Sequence, residues 1–301
     1  MRQHNKEKIY TRNFWQGEDI TKKFIYSLVK SAKSSHHTVF ITSVFPKRIS
    51  FFERLQNSLK YRVRGITDVT YVQKRAYGIV KPILGANVRN VWFTGENHRI
   101  PNGEGWDAFL SFEPNKSPDK NLHLPFWVTR LGETCNEVQI KINEISKIRD
   151  PRMSKTKFAC AFIGNPEPTR LRFIEMFARH FEIDLFGTVF GNPVKDKKKI
   201  LQEYKFNVCF ENDLYPGYVT EKAIESWECE AIPIWWGLDK FNYLNSAAII
   251  DVYSLGFEGA IEKVREISNS SQEMKVMRSQ PILNKRYDVD ELLQNLKCLL
   301  A

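Results

Sequence analysis

Within residues 211–222, Glu211, Asn212, Tyr218, Glu221 and Lys222 crowd two carboxylates, an amide, a phenol and an ammonium into one short loop. Residues 206–210 (FNVCF) before it form an apolar run suited to a buried strand. After it, Ala223, Ile224, Trp227 and Ala231 recur at helical spacing, with Thr220 placed as N-cap. In an open parallel sheet, ligands sit beyond the carboxyl ends of strands and against helix N-termini, where unpaired N–H groups and the macrodipole favour anions. Arg170 opens another helical segment that also follows a strand-like run. A cation at a helix N-terminus opposes the macrodipole, so Arg170 and Lys222 are better explained by a bound anion than by helix stability. Arg170 can grip phosphate oxygens bidentately, while Lys222 acts as a point charge. Each residue also has a plainer reading: Arg170 as a solvated cation, Asn212 closing a turn, Tyr218 covering the core, Glu221 as a favourable first-turn carboxylate. Their company argues for the site.

The elements that must position these residues alternate in an α/β rhythm. Ile20–Ala32 is predicted as a helix, residues 37–45 as a strand, 50–59 as a helix, Val88–Phe93 as a strand and 106–112 as another. The polar stretch 147–157 (KIRDPRMSKTK) separates two apolar periodic regions and places a domain boundary between residues 147 and 148. Beyond it, strands are expected at 158–164, Ile183–Phe186 and 206–210, with helices at 170–181 and 196–204. That order predicts a parallel doubly wound sheet. Asp288 and Asp290 could be read as a metal-binding pair, but Asp288 with Glu291 also makes a capping-box-like helix start.

A chain of 301 residues, 42% hydrophobic and 13% aromatic, has room for two globular domains and is not a disordered protein. No apolar run approaches the length of a membrane span, and residues 1–10 lack a signal-peptide core, so the protein is expected to stay where it is made. Its five cysteines are odd in number, widely spaced and without a CxxC pair; Cys160 and Cys209 fall inside apolar runs and read as small core residues. A reducing, cytoplasmic compartment is the expectation. Of the net charge of +10, most lies in residues 1–70, where fourteen Lys and Arg face five Asp and Glu. Such a bias suits nucleic acid, an anionic membrane face, an acidic glycan, or merely a solubilising surface.

The run FEN, then GYVTEK, then IPIWWG, at residues 210–212, 217–222 and 232–237, resembles the signature of the α-1,3-fucosyltransferases of glycosyltransferase family 10. Further pieces agree in order: FTGEN at 93–97, Pro101, Asp107 in WDAFLSFE, Leu124-Pro125, Asn165-Pro166 with Arg170, and Asn245-Ser246. The resemblance covers roughly residues 91–250. It departs in detail: His123 stands where an arginine is common, the spacing from Asn165-Pro166 to Arg170 is a residue shorter than in some relatives, and no C-terminal heptad repeat follows.

The resemblance implies a GT-B fold of two Rossmann-like domains, an acceptor-side domain at 1–147 and a donor-binding domain at 148–301, with the active site in the cleft between them. It implies inverting transfer of fucose from GDP-fucose, without a metal cofactor, to a glycan acceptor such as O3 of N-acetylglucosamine, lipid-linked acceptors included. Nucleic acid is not a partner under this reading, and the basic first quarter would make peripheral contact with an anionic membrane. The glutamate of the TGEN motif, Glu96, would be the catalytic base; by itself it could equally be a loop carboxylate pairing with His98 or Arg99. Donor contacts carry over to Arg170, Asn212, Tyr218, Glu221 and Lys222, and more loosely to Val194, Lys195, Asp196 and Lys197. Beside two cations, Glu221 is expected to stay ionised, holding sugar hydroxyls or stabilising positive charge at the anomeric centre. The competing readings are a GT-B enzyme with another nucleotide sugar, and a basic protein that binds nucleic acid or anionic surfaces.

Overall fold

Strand and helix alternate through a computed structural model that describes residues 9–12, 14, 19–33, 37–43, 82, 87–95, 99–101, 104–114, 119–164 and 166–301. Glu96, Asn97 and Asn165, the helix expected at 50–59 and much of the basic first quarter lie outside the described residues. The chain forms two compact units, residues 1–111, 115–122 and 293–301 in one, residues 112–114 and 123–292 in the other.

In the first unit, strands β1 (Ile9–Arg12), β2 (Thr38–Ser43), β3 (Val88–Phe93), β4 (Ala108–Ser111) and β5 (Asn121–His123) lie side by side in chain order. The pairs from β1 to β4 are parallel. Helix α1 (Ile20–Ala32) starts where Asp19 accepts hydrogen bonds from the backbone N–H groups of Thr21 and Lys22, and it buries Phe24, Ile25, Leu28 and Val29. Each such side chain contributes about 1.5–3 kcal/mol on burial, which outweighs the weak helix propensity of the β-branched residues among them.

The second unit opens with a 3₁₀ turn (Phe126–Arg130) and α2 (Cys135–Ile145), then runs β6 (Lys157–Phe162), α3 (Pro168–Ala178), β7 (Ile183–Phe186), α4 (Lys197–Leu201), β8 (Tyr204–Val208), α5 (Lys222–Glu228), β9 (Ile232–Trp235) and β10 (Ile250–Asp251). Helices α6 (Val252–Ser268), α7 (Ser271–Ser279) and α8 (Val289–Leu300) follow. The sheet is parallel throughout, in the order β10-β9-β8-β6-β7, which is the doubly wound arrangement predicted. Its period of two divides the core. Ala159 and Ala161 of β6 pack in one cluster with Phe173 and Phe177 of α3 and Val264 of α6, while Cys160 packs in another with Leu201 and Ala231. Cys160 and Cys209 are both buried, as core residues should be.

The boundary expected at 147/148 falls inside the second unit. Helix α2, on the N-terminal side of it, buries Val138, Ile142 and Ile145; the carbonyl of Ile145 accepts from Ile282 N at 3.1 Å, Gln139 Oε1 accepts from Val289 N at 3.0 Å, and Lys141 pairs with Glu228 at 3.1 Å. The polar segment 147–157 is therefore no linker: Glu230 accepts from the backbone N–H groups of Arg152 and Met153, and Arg149 stacks over Trp227 at 3.7 Å. At the other end, the chain from Leu293 on groups with the first unit.

Candidate nucleotide site

Strand order decides where a ligand can bind. From β6 the chain first steps out to β7, then returns to place β8 on the other side of β6, so the connections leaving β6 and β8 diverge and open a crevice beyond their carboxyl ends. A cavity of about 280 Å³ lies there, wholly within the second unit. Its wall includes Phe162 and Gly164 after β6, Arg170 of α3, Lys197 of α4, Asn207 and Asn212 around the end of β8, and Glu221 and Lys222 at the start of α5.

Glu211 organises the loop. It is fully buried, and its carboxylate accepts from Thr220 N and Thr220 Oγ1 at 2.8 Å each, from Trp235 Nε1 at 3.2 Å and from Lys222 Nζ at 3.2 Å. Thr220, expected as the N-cap of α5, is thus engaged with Glu211, and the cap position passes to Glu221, whose side chain makes no capping bond. Between them, Gly217 turns the chain at φ +82°; a Cβ there would stand 2.7 Å from the carbonyl oxygen of Phe112, so only glycine fits both the dihedral and the space.

Arg170 and Lys222 meet on this loop. Capped by Glu167, α3 holds Arg170 in its first turn, 4% exposed, with Nη2 donating to the carbonyls of Phe210 at 2.9 Å and Glu211 at 3.0 Å and to Asn212 Oδ1 at 3.0 Å. Lys222 Nζ donates to the carbonyl of Phe210 at 3.0 Å and to Asn212 Oδ1 at 3.1 Å as well as to Glu211. Asn212 therefore links the two cations. Burial lowers the pKa of the Arg170 guanidinium, against the carboxylates of Glu167 and Glu211. These internal acceptors supply a second reason for cations at helix starts, beyond the bound anion that the sequence suggested.

The other expected contacts divide. Lys197 reaches the cavity wall, its ammonium 2.6 Å from Glu225 Oε2 and 5.6 Å from the Phe162 ring. Burial opposes its charge, but Glu225 prevails and raises its pKa. Val194, Lys195 and Asp196 are not among the lining residues; Lys195 and Asp196 are exposed, and Asp196 caps α4 by accepting from Lys199 N at 3.0 Å. Tyr218 is buried against Phe112, ring centroids 5.1 Å apart, and is likewise absent from the cavity wall. Asp288, which is not among the lining residues, accepts through Oδ1 from the backbone N–H groups of Asp290 and Glu291, which makes it a helix cap.

Glu221 departs from expectation. Its carboxyl lines the cavity, but burial and then the charge of Glu225 raise its pKa; the backbone, Lys222 and Arg130 act in the opposite sense without cancelling them. The expectation of a readily ionised group counted the cations nearby and overlooked that Lys222 has its three N–H donors on Phe210, Glu211 and Asn212. Sequence reasoning also passed over Asn207 and Glu225. Asn207 is a buried amide within an apolar strand, bonded to Ser226 Oγ at 2.7 Å, and a polar residue in such a run signals a partner. Glu225 lies four residues after Glu221, the spacing of neighbours on a helix.

Residues 152–274 match the family described as Glycosyltransferase family 10 (fucosyltransferase) C-term. The chain is 26% identical over 291 residues to the alpha-(1,3)-fucosyltransferase FucT of Helicobacter pylori, covering 86% of this chain and 56% of that protein. To a putative fucosyltransferase of Acanthamoeba polyphaga mimivirus it is 29% identical over 226 residues, covering 69% of this chain and 36% of the other. The chain thus spans about half or less of the length of these relatives. A crystal structure of an alpha1,3-fucosyltransferase with GDP-fucose superposes with a TM-score of 0.64 at 19% identity, covering 97% of this chain and 89% of that one, which establishes a shared GT-B fold. Over residues 152–274, then, the chain is similar to glycosyltransferase family 10, and over nearly its whole length it shares the fold of an alpha1,3-fucosyltransferase.

Proposed function

We propose that this protein transfers L-fucose from GDP-fucose to a glycan hydroxyl with inversion at the anomeric carbon. The observation that carries the reading is the convergence of Arg170, Lys197 and Lys222 on one cavity at the switch point of a parallel sheet, inside the segment that matches the family. In this reaction the acceptor oxygen bonds to the anomeric carbon as the bond to the β-phosphate oxygen breaks. The acceptor proton passes to Glu96, and the charge that develops on GDP meets Arg170 and Lys222. A positioned base contributes typically about 10²–10⁴-fold, and preorganised cations stabilise the leaving group without a metal ion. Asn212, Glu221 and Lys197 complete the donor contacts; the looser contacts expected of Tyr218, Val194, Lys195 and Asp196 would come from outside the cavity wall. The acceptor proposed is O3 of N-acetylglucosamine in an oligosaccharide, soluble or lipid-linked. Among the described residues no helix is long and apolar enough to cross a membrane, and contact of the basic first quarter with an anionic, cytoplasmic membrane face belongs to the same proposal.

The test is nucleotide release from GDP-fucose, GDP-mannose and UDP-sugars over a panel of glycan acceptors, with and without EDTA. GDP release specific to GDP-fucose and unaffected by EDTA is expected. Release from another donor would change the sugar and keep the fold, and loss of activity in EDTA would overturn the metal-independent mechanism.

A further inference from the structure

Among the described residues Glu221 is the one carboxyl in the cavity wall, and its Oε2 is buried there without a hydrogen-bond partner. Two of the cations around it are held by other partners. Lys222 holds Phe210, Glu211 and Asn212, and Lys197 holds Glu225 at 2.6 Å. On α5 itself, Glu225 stands one turn further along from Glu221, which disfavours a second negative charge there. From the 3₁₀ turn, Arg130 acts the other way; Arg170 from α3 faces the loop at Phe210, Glu211 and Asn212. The backbone N–H of Glu221 favours the charged carboxyl, but its other oxygen is buried with no partner, which is costly for a carboxylate; a carboxylic acid there avoids that cost and offers an O–H donor.

We propose that Glu221 is a neutral carboxylic acid that donates a hydrogen bond to an oxygen of the bound nucleoside diphosphate, and that Glu225, anchored by Lys197, keeps it protonated. The proposal rests on the nucleotide site argued above. It resolves an electrostatic conflict: an ionised Glu221 would repel a diphosphate in the same cavity, and a protonated one attracts it. Glu225 is then a positioning residue. Its carboxylate holds the Lys197 ammonium at the wall and sets the protonation of Glu221. The raised pKa of Glu221, from burial first and Glu225 second, agrees with this arrangement.

Two measurements test it on the full chain. In the free protein labelled with ¹³C-glutamate, the Glu221 carboxyl signal, assigned by its loss in Glu221→Gln, should titrate at higher pH than exposed glutamates, and Glu225→Gln should move its midpoint down. A Glu221 signal that titrates with the exposed glutamates, or that ignores Glu225→Gln, overturns the proposal whether or not nucleotide binds. In calorimetry with GDP, wild-type affinity should fall as pH rises through that midpoint. Glu221→Gln, which mimics the neutral acid, should bind within about threefold of the low-pH wild type at every pH. A loss of about tenfold or more in Glu221→Gln at all pH values would mean that the carboxylate is the binding form. Absence of GDP binding by the wild type would instead remove the nucleotide reading, with the carboxyl titration still deciding the protonation of Glu221.

Discussion

His123 makes part of the fold sensitive to acid. At the end of β5 its imidazole lies against Phe241, centroids 3.8 Å apart, and runs nearly parallel to Tyr243 at 5.9 Å. Both ring nitrogens are buried without partners among the described residues. Burial, then the charge of Lys285, lowers its pKa from 6.5 to about 4. The folded pKa lies below the unfolded one, so between these values the unfolded chain binds a proton that the folded chain refuses. The stability contributed is present in full above the unfolded pKa and is lost as pH falls towards the folded one. A difference of about 2.5 units corresponds to ~3 kcal/mol, a large fraction of a typical domain's stability. Replacing His123 by Phe keeps the ring stack and removes the titration. Urea unfolding of both proteins from about pH 4 to about pH 8 gives a difference curve from which all other titrating groups cancel. It should climb by ~1.4 kcal/mol per unit through the middle of the window. A flat difference curve, or an imidazole resonance in the folded protein that titrates near its ordinary value, would refute the reasoning.

Removing the charge of Glu211 should act on the whole loop: Glu211→Gln breaks a buried pair with Lys222 and is expected to destabilise by ~3–5 kcal/mol, read as a lower urea midpoint. Arg170→Ala and Lys222→Ala should each weaken GDP binding by ~1.5–3 kcal/mol in calorimetry. Because both cations share Asn212 Oδ1, the double variant should fall short of the sum of the single losses. Glu96→Gln should lower turnover at saturating acceptor by at least ~10²-fold while GDP affinity is kept; near-full turnover would move the base to another residue.

What the sequence determined by itself is what local period and chemistry can carry. Ile20–Ala32, Val88–Phe93 and Ile183–Phe186 form with the predicted ends, since amphipathic spacing and apolar runs select helix or strand without reference to distant residues. The order of elements implied a parallel doubly wound sheet, and the signature at residues 210–237 pointed to the loop that the structure bends around Glu211. Boundaries moved where a longer-range bond competed: Thr220 reads as a cap until Glu211 claims both its donors, and the segment 147–157 reads as a linker until Glu230 and Trp227 are seen to hold it. Only tertiary structure decided which side of a residue faces the cavity. It turned Tyr218 to Phe112 and Lys197 to Glu225, and it withheld Lys222 from Glu221, so that a carboxyl beside a lysine in sequence has its pKa raised in space. Charge in a protein is set by burial and by which partner takes each donor, and those are properties of neighbours that the fold brings together from β6, α3, α4 and β8.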